Sequence, residues 1–408
     1  MTINQPKITG YSCLFLVLLL AGSFLGNLFY ILEVSKPNSY SLFSFPVFVT
    51  FSLTFFLLNR KIQFPSFYRF VSAIVLIIGS FSVINFVNLS VVIYSMTKVY
   101  FIFMILYLLT KFSKTQINEI LRLFCNFYYI SIVTALTLIF FEYLGMIDLP
   151  PRAIVYDNGH YFRFAGLGFE LVDFVFSSFA VLIIEFSLRN HVKNRSITLR
   201  LIPVLCIYYA YSNATPIYLA VILFAIISCL FVRSSLFVLV SVILSFIFLF
   251  NSAEISQMIN SVLRYFPRSD SGLVPGSALY NRIYPSLYYL GVLRDNLFEL
   301  PLGFSGSYKS SLNAGVFSIF NFTAIPFGFL QMLGDGTILA LLAFFSSIVY
   351  IFRIINASFK SRETLCYACI LGLCLGYTIT QGSYLNFTVL GLFFISLELL
   401  RRGVDGEF

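Results

Sequence analysis

Stretches of about twenty apolar residues recur along the chain, and no other sequence feature constrains the fold as strongly. Only helices and closed barrels satisfy their backbone groups in hydrocarbon. Composition agrees, since 59% of the 408 residues are hydrophobic and 11% are charged. We predict an all-α polytopic membrane protein, a single integral membrane domain over 1–408, whose first span is retained rather than cleaved. The twelve predicted spans are 11–33, 41–59, 67–86, 90–110, 120–145, 167–188, 199–212, 214–232, 234–250, 324–352, 363–382 and 384–400.

Lysine and arginine gather in every second connection between these spans. Cytoplasmic loops carry such an excess, so the alternation predicts a multi-pass protein of the cytoplasmic membrane with both termini cytoplasmic. The net charge of +9 is then a property of the loops, and we expect no nucleic-acid partner. The basic residues are Arg60, Lys61, Lys111, Lys114, Arg189, Lys193, Arg195, Arg200, Arg233, Arg353, Lys360, Arg362, Arg401 and Arg402.

Two connections are long, and both fall on the predicted extracytoplasmic side. They cover 146–166 and 251–322, and the second contains Arg264, Arg268, Arg282, Arg294 and Lys309. Long loops cross the membrane regardless of charge, so one interpretation is that these basic residues are tolerated there and have no function. They can also form an anion site, because guanidinium groups grip phosphate oxygens in a bidentate fork.

Three separated segments resemble motifs of the O-antigen polymerase and ligase superfamily. RFAGLGFE at 163–170 leads into the sixth span, NRIYPSLYYLGVLRDNLFELPLGFSGSY covers 281–308, and FGFLQMLGDGTILALL covers 327–342. Their order and spacing cover about 160–345, whereas the N-terminal half matches only as a run of hydrophobic spans.

The resemblance implies a GT-C-like fold and the activity of a Wzy-type polymerase of bacterial surface polysaccharide. Such an inverting glycosyltransferase uses neither metal nor cofactor. It moves a glycan from undecaprenyl pyrophosphate to another lipid-linked repeat unit at the outer face of the inner membrane. Donor, acceptor and membrane lipid are the implied partners, with a chain-length regulator protein as a further one. Arg163 and Arg282 match the essential arginines of the family.

The position of histidine separates the members of that superfamily. Ligases carry one near the end of the large loop, where this chain reads FNFTAIPFGF, and its two histidines are His160 and His191. The absence favours a polymerase over a ligase-like transferase and leaves the general base open. A flippase of lipid-linked oligosaccharides is the other alternative, although transporters are commonly built from two similar halves with short loops.

Carboxylates near the outer membrane face are candidates for that base. Glu170 and Asp173 are three residues apart and are expected on one helix face. Glu170 is the first candidate for the base, with the alternative that it only pairs with Arg163. Asp173 is predicted to bind substrate. Asp335 stands between two glycines in the tenth span, where it either contacts substrate or lies at a helix break and caps backbone groups.

Two other polar residues of the predicted substrate site each have an alternative role that is purely structural. Lys98 lies in the middle of the fourth span, where it pairs with a carboxylate or with the lipid pyrophosphate. His160 lies beside the first motif, as a loop residue at the water interface or as part of the site.

Gly166 and Gly168 are expected to bring the backbone close to phosphate groups, because glycine allows such an approach. Arg294 and Tyr308 of the second motif complete the predicted substrate site. The 7 cysteines lie in or beside apolar spans, so we expect core residues rather than disulfides or metal ligands.

Overall fold

The computed structural model describes residues 16–18, 20–32, 65–84, 89–150, 154–157, 162–168, 170–187, 197–210, 215–231, 290–291, 295, 303, 328–358, 362–380 and 386–404. This part of the chain is mostly helical, with one small β-hairpin. Its helices are α1 Gly22–Leu25, α2 Leu28–Ile31, α3 Ser66–Ile84, α4 Leu89–Lys111, α5 Lys114–Tyr143, α6 Leu171–Ser187, α7 Ile197–Tyr209, α8 Thr215–Phe231, α9 Gly328–Ser358, α10 Arg362–Thr380 and α11 Phe387–Val404.

Three of these helices are long and apolar enough to cross a membrane: α3, α5, and the part of α9 over Met332–Ala357. The chain is thus a mostly helical membrane protein. The break predicted between the seventh and eighth spans is present, because α7 and α8 are separate helices. The predicted spans 41–59 and 234–250 lie outside the described residues, so the number of twelve stays a prediction.

The first predicted span is interrupted in its described part. α1 ends at Leu25 and α2 begins at Leu28, with Asn27 between them at φ −98° and ψ 4°. The backbone N–H of Asn27 donates to the carbonyl of Leu167 at 2.9 Å and so leaves the helical ladder. A continuous helix over 11–33 was therefore wrong at this point, because a polar residue after glycine bonds to a distant loop instead.

α5 begins six residues before the predicted span, and its N-terminus shows why. The Ser113 side chain accepts from the backbone of Gln116 at 3.3 Å, and the Gln116 side chain accepts from the Ser113 backbone at 2.7 Å. This capping box satisfies two backbone donors that a helix N-terminus otherwise leaves open. The helix therefore extends beyond the apolar run into the preceding basic connection.

α10 is central in the described bundle and packs against α6, α8, α9 and α11. Its closest neighbour is α8, at the glycines of the sequence GLCLG. A Cβ on Gly372 would lie 3.1 Å from the Cβ of Ala225, and one on Gly376 would lie 3.4 Å from Val221. Small residues four apart let membrane helices approach closely.

One end of the bundle is held by the carboxylate of Glu398, and we call it the Glu398 end. Glu398 is fully buried on α11 and accepts from Tyr68 at the start of α3, at 2.6 Å. Arg402 donates to Glu398 at 2.7 Å and to the carbonyl of Leu109 near the end of α4, also at 2.7 Å. The start of α3 and the ends of α4 and α11 therefore meet here.

The opposite end contains the start of α6, and we call it the Asp173 end. Asp173 in the first turn of α6 accepts from Tyr377 near the end of α10 at 2.6 Å. Tyr377 in turn accepts from Asn386, which precedes α11, at 2.9 Å. Start and end of α11 thus mark opposite ends of the bundle.

These two sets of contacts group the helix ends as the loop charges predict. Every helix end at the Glu398 end adjoins a basic connection, and every one at the Asp173 end adjoins a predicted extracytoplasmic connection. Lys114 and Glu363 pair at 3.2 Å, which joins two further predicted cytoplasmic ends. The orientation itself stays a prediction of the positive-inside rule.

A reporter fused after Tyr308 is expected to be extracytoplasmic, and one fused after Asn194 cytoplasmic. Both positions follow from the alternation of basic loops. Paired alkaline phosphatase and fluorescent protein fusions measure this directly. Phosphatase activity at Asn194, or fluorescence at Tyr308, would contradict the orientation and move the Asp173 end to the cytoplasm.

Candidate functional site

Arg163 lies on a β-hairpin that leads into α6. Strands Val155–Asp157 and Phe162–Phe164 pair antiparallel, with Tyr156 opposite Arg163. The all-α prediction missed this element, which alternating aromatic residues favour at Phe162–Phe164. Because successive strand side chains point to opposite faces, half-buried Arg163 projects away from the face of Phe164, whose ring meets Phe174 at 5.5 Å.

The turn after the hairpin depends on its glycines. Gly166 has a φ of +58°, and a Cβ there would lie 2.7 Å from the ring of Phe174. A Cβ on Gly168 would lie 3.0 Å from the carbonyl oxygen of Ser23 on α1. Both glycines are buried against protein, so they serve the packing of the turn. The expected contact with a phosphate stays a prediction.

Asn27 fastens this turn to the break in the first span. Besides its backbone contact to Leu167, its side-chain amide donates to the carbonyl of Gly168 at 3.1 Å. Sequence reasoning missed Asn27 as a site residue. The available signal was a Gly-Asn pair inside an apolar span, where an amide needs a hydrogen-bond partner.

The two carboxylates of the first motif differ in their surroundings. Glu170 precedes α6 and is exposed, and its carbonyl accepts from the backbone of Phe174 at 3.1 Å. Asp173 is 9% exposed and lies in the helix itself. The helix begins at Leu171, so Asp173 lies in its first turn and Glu170 directly before it, and the shared helix face stays a prediction.

Asp173 belongs to a buried polar group that sequence reasoning found only in part. Its Oδ1 accepts from the Tyr377 hydroxyl, and Asn386 donates to that same hydroxyl. The Asn386 side-chain oxygen accepts from the backbone N–H groups of Thr388 and Val389 at 2.9 and 3.3 Å, which caps α11. Tyr377 is one of 26 tyrosines, so no pattern in the sequence distinguishes it.

The second and third motifs meet in space. The backbone N–H of Gly303 donates to the carbonyl of Asp335 at 2.8 Å. Gly303 has a φ of +145°, and a Cβ there would lie 3.1 Å from the Cα of Ser82 on α3. Asp335 is 1% exposed. Gly303 of the large predicted loop therefore lies at a junction between α3 and α9.

α9 is broken next to this junction. Thr337 has a φ of 44° and a ψ of −123° inside the helix. A Cβ on the preceding Gly336 would lie 2.8 Å from both Ile78 and Ala340. The sequence suggested a helix break beside Asp335, and the break lies two residues after it. Strained backbone of this kind persists only where the surroundings hold it.

Four predicted site residues lie outside the described residues: His160, Arg282, Arg294 and Tyr308. Lys98 lies in α4, but its side chain is outside the described part. Among the predicted site residues that the structure describes, two junctions are present: the turn of Gly166 and Gly168 joins Asn27 just before the start of α6, and Gly303 joins Asp335.

Within the described residues, no group of three or more His, Cys, Asp or Glu side chains could hold a metal ion. The cysteines whose side chains the structure describes are buried thiols, in agreement with their expected place in the core: Cys125, Cys206, Cys366, Cys369 and Cys374.

Protein-family models, curated proteins and solved structures give no match to this chain. A function can therefore be inferred from the two junctions and from the motif segments that form them. We base this inference on three features at one end of the membrane bundle: an arginine, a buried carboxylate and a strained backbone.

Proposed function

We propose that the protein is a membrane glycosyltransferase that polymerises lipid-linked repeat units of a bacterial surface polysaccharide. The donor is a glycan on undecaprenyl pyrophosphate, and the acceptor is a sugar hydroxyl of another lipid-linked unit. The reaction takes place at the Asp173 end, which the loop charges assign to the outer face of the membrane.

The observation that carries this proposal is that described residues from all three motif segments lie at one end of the bundle. The first forms the turn over Phe174 at the Asp173 end. For the others, Phe67 stacks on Tyr350 at 3.9 Å beside the Glu398 end, which places the start of α3 and the later part of α9 there.

Asp335 precedes Tyr350 by 15 residues on α9, a helical length of about 22 Å even though the helix is broken at Thr337. Ser82, which Gly303 contacts, lies a similar distance from the start of α3. Gly303 of the second motif and Asp335 of the third are therefore at the Asp173 end as well. Segments far apart in sequence share one end, as parts of a single active site must.

The chemistry at this end suits a pyrophosphate leaving group. Negative charge builds on its oxygens as the bond to the anomeric carbon breaks, and cations held nearby stabilise that charge. Arg163 lies on the hairpin directly before the buried turn, and Arg282 precedes the Gly303 segment in the same loop. Two guanidinium groups gripping one anion account for arginine at both motifs.

A chain-length assay tests this function. Loss of the gene is expected to leave single repeat units on the cell surface, because transport and attachment continue without polymerisation. A flippase would instead leave no repeat on the surface, and a ligase would leave full-length polymer on the lipid carrier. Gel separation of surface and lipid-linked glycans distinguishes the three outcomes.

Arg163→Lys is expected to reduce chain extension at least about 100-fold while the protein inserts normally. Lysine keeps the charge but loses the bidentate fork, and loss of one oxyanion donor typically costs 10²–10³-fold in rate. Polymer length and protein abundance in the complemented strain measure both quantities.

Arg122→Lys is the matched control, because Arg122 is exposed on α5 and pairs with Glu119 at 2.6 Å. It should leave polymer length unchanged. Wild-type polymer from Arg163→Lys at normal abundance would mean that Arg163 only anchors the hairpin at the membrane surface, as a lysine also can.

A further inference from the structure

Asp173 is held by a chain of hydrogen bonds that runs through three helices. The chain begins at the backbone of α11, passes through the side chain of Asn386 and the hydroxyl of Tyr377 on α10, and ends at Oδ1 of Asp173 on α6. Each member satisfies the next, which fixes the tyrosine ring and the carboxylate in one geometry.

A fourth element, α1, also holds the backbone around Asp173 in place. The Ser177 hydroxyl donates to the carbonyl of Asp173 at 2.8 Å and contacts the hydroxyl of Ser23 on α1 at 2.5 Å. The Thr388 hydroxyl donates to the carbonyl of Leu20 at 2.7 Å and so ties α11 to the same first span. Side chains held in this way are placed precisely enough for chemistry.

The carboxylate still has acceptor capacity. Within the part of the chain that the structure describes, Tyr377 is the one side chain that donates to it, and that bond uses Oδ1. An ionised carboxylate offers about four lone-pair sites over its two oxygens. Oδ2 can therefore accept a proton from a bound ligand while Oδ1 remains held.

The position of Asp173 relative to the first motif indicates which bound group would use this acceptor capacity. Asp173 lies in the same first turn of α6 as Phe174, whose ring packs against Gly166, so the part of α6 that carries the carboxylate adjoins the turn that follows Arg163. Arg163 precedes this turn by three residues, on the strand that leads into it. Exposed Glu170 lies outside the hydrogen-bonded chain from α10 and α11 that the structure describes.

We propose that Asp173 is the general base of the transfer and that Tyr377 and Asn386 are its positioning residues. The inference rests on the proposed function. The acceptor hydroxyl gives its proton to Oδ2 of Asp173, and the oxygen electron pair forms the bond to the anomeric carbon. The bond from that carbon to the pyrophosphate oxygen breaks, its electron pair leaves with the pyrophosphate, and the proton on Asp173 then passes to water.

The test uses the full-length protein, purified and placed in lipid nanodiscs. The substrate is the pool of lipid-linked single repeat units extracted from the strain that lacks the gene. Asp173→Asn is expected to lower kcat at least about 100-fold, because general-base catalysis contributes 10²–10⁴-fold. KM for the lipid-linked unit should stay within about twofold, since the amide keeps the shape of the side chain.

Tyr377→Phe is expected to lower kcat about 10-fold with KM unchanged, because the carboxylate remains but loses its orientation. Its control is Tyr367→Phe, a buried tyrosine ten residues earlier on α10, which should retain full kcat. The exposed Asp148 in the connection before the hairpin gives a second control, Asp148→Asn, with unchanged activity.

Rates are normalised to the monodisperse fraction, so poor folding does not imitate loss of catalysis. Full kcat in Asp173→Asn, or equal loss in Tyr377→Phe and Tyr367→Phe, overturns the assignment while the polymerase function stands. If the wild-type protein makes no polymer from these units, the proposed function fails, and the assignment fails with it.

Discussion

Glu398→Ala is expected to lower the free energy of unfolding by about 3–5 kcal/mol, because removing one partner of a buried ion pair leaves the other charge uncompensated. Glu398 is fully buried and accepts from Arg401, Arg402 and Tyr68. Arg402 is itself 7% exposed, so its guanidinium group cannot turn to water without moving α11. Denaturant unfolding in detergent measures the difference.

Two further variants make that expectation specific. Glu119→Ala removes the partner of exposed Arg122 and should cost about 0–1 kcal/mol, as surface ion pairs do. Tyr68→Phe removes one hydrogen bond to the charged carboxylate. Its loss of unfolding free energy should lie between those of the other two variants, at about 1.5–3 kcal/mol. A Glu398→Ala protein as stable as Glu119→Ala would show that the Glu398 end is open to water.

Gly166→Ala is expected to destabilise the protein by about 2–5 kcal/mol. A left-handed backbone costs a residue with a Cβ about 1–2 kcal/mol. The new methyl group would also lie 2.7 Å from the ring of Phe174, and overpacking of this kind adds about 1–3 kcal/mol. The ring has little room to yield, because Phe164 and Tyr128 pack against it.

Gly145→Ala separates these two contributions. Gly145 has a φ of +69°, and nothing lies within 4 Å of its would-be Cβ, so alanine there should cost only the backbone term. Combining Gly166→Ala with Phe174→Leu should cost less than the sum of the single changes, since residues in contact are not additive. Equal losses from Gly145→Ala and Gly166→Ala would rule out the clash with Phe174.

Features that depend on local sequence could be predicted well. Apolar length gave the positions of α3, α5 and the later part of α9, and the polar sequence NATP correctly separated α7 from α8. The break near Asp335 was one of two alternatives, and flanking glycines were the signal for it. These are properties of a few neighbouring residues, so one sequence is enough to reveal them.

Features that depend on which helices face each other could not be predicted. The partner of Asp173 is 204 residues away on α10, and the partner of Gly168 is 141 residues away in the first span. Polar side chains in membrane helices require partners, but the requirement does not say which of many tyrosines or asparagines supplies them. The hairpin was missed because three-residue strands have almost no periodicity to detect.

The interrupted first span also has a consequence for the order of events during synthesis. Asn27 reaches its partner in the turn only after 141 further residues have been made, which takes about 7–28 s at 5–20 residues per second. Thr388, which donates to the carbonyl of Leu20, is made 368 residues later, after about 18–74 s. The long-range hydrogen bonds of this span are thus completed late, because both of its partners are made long after it.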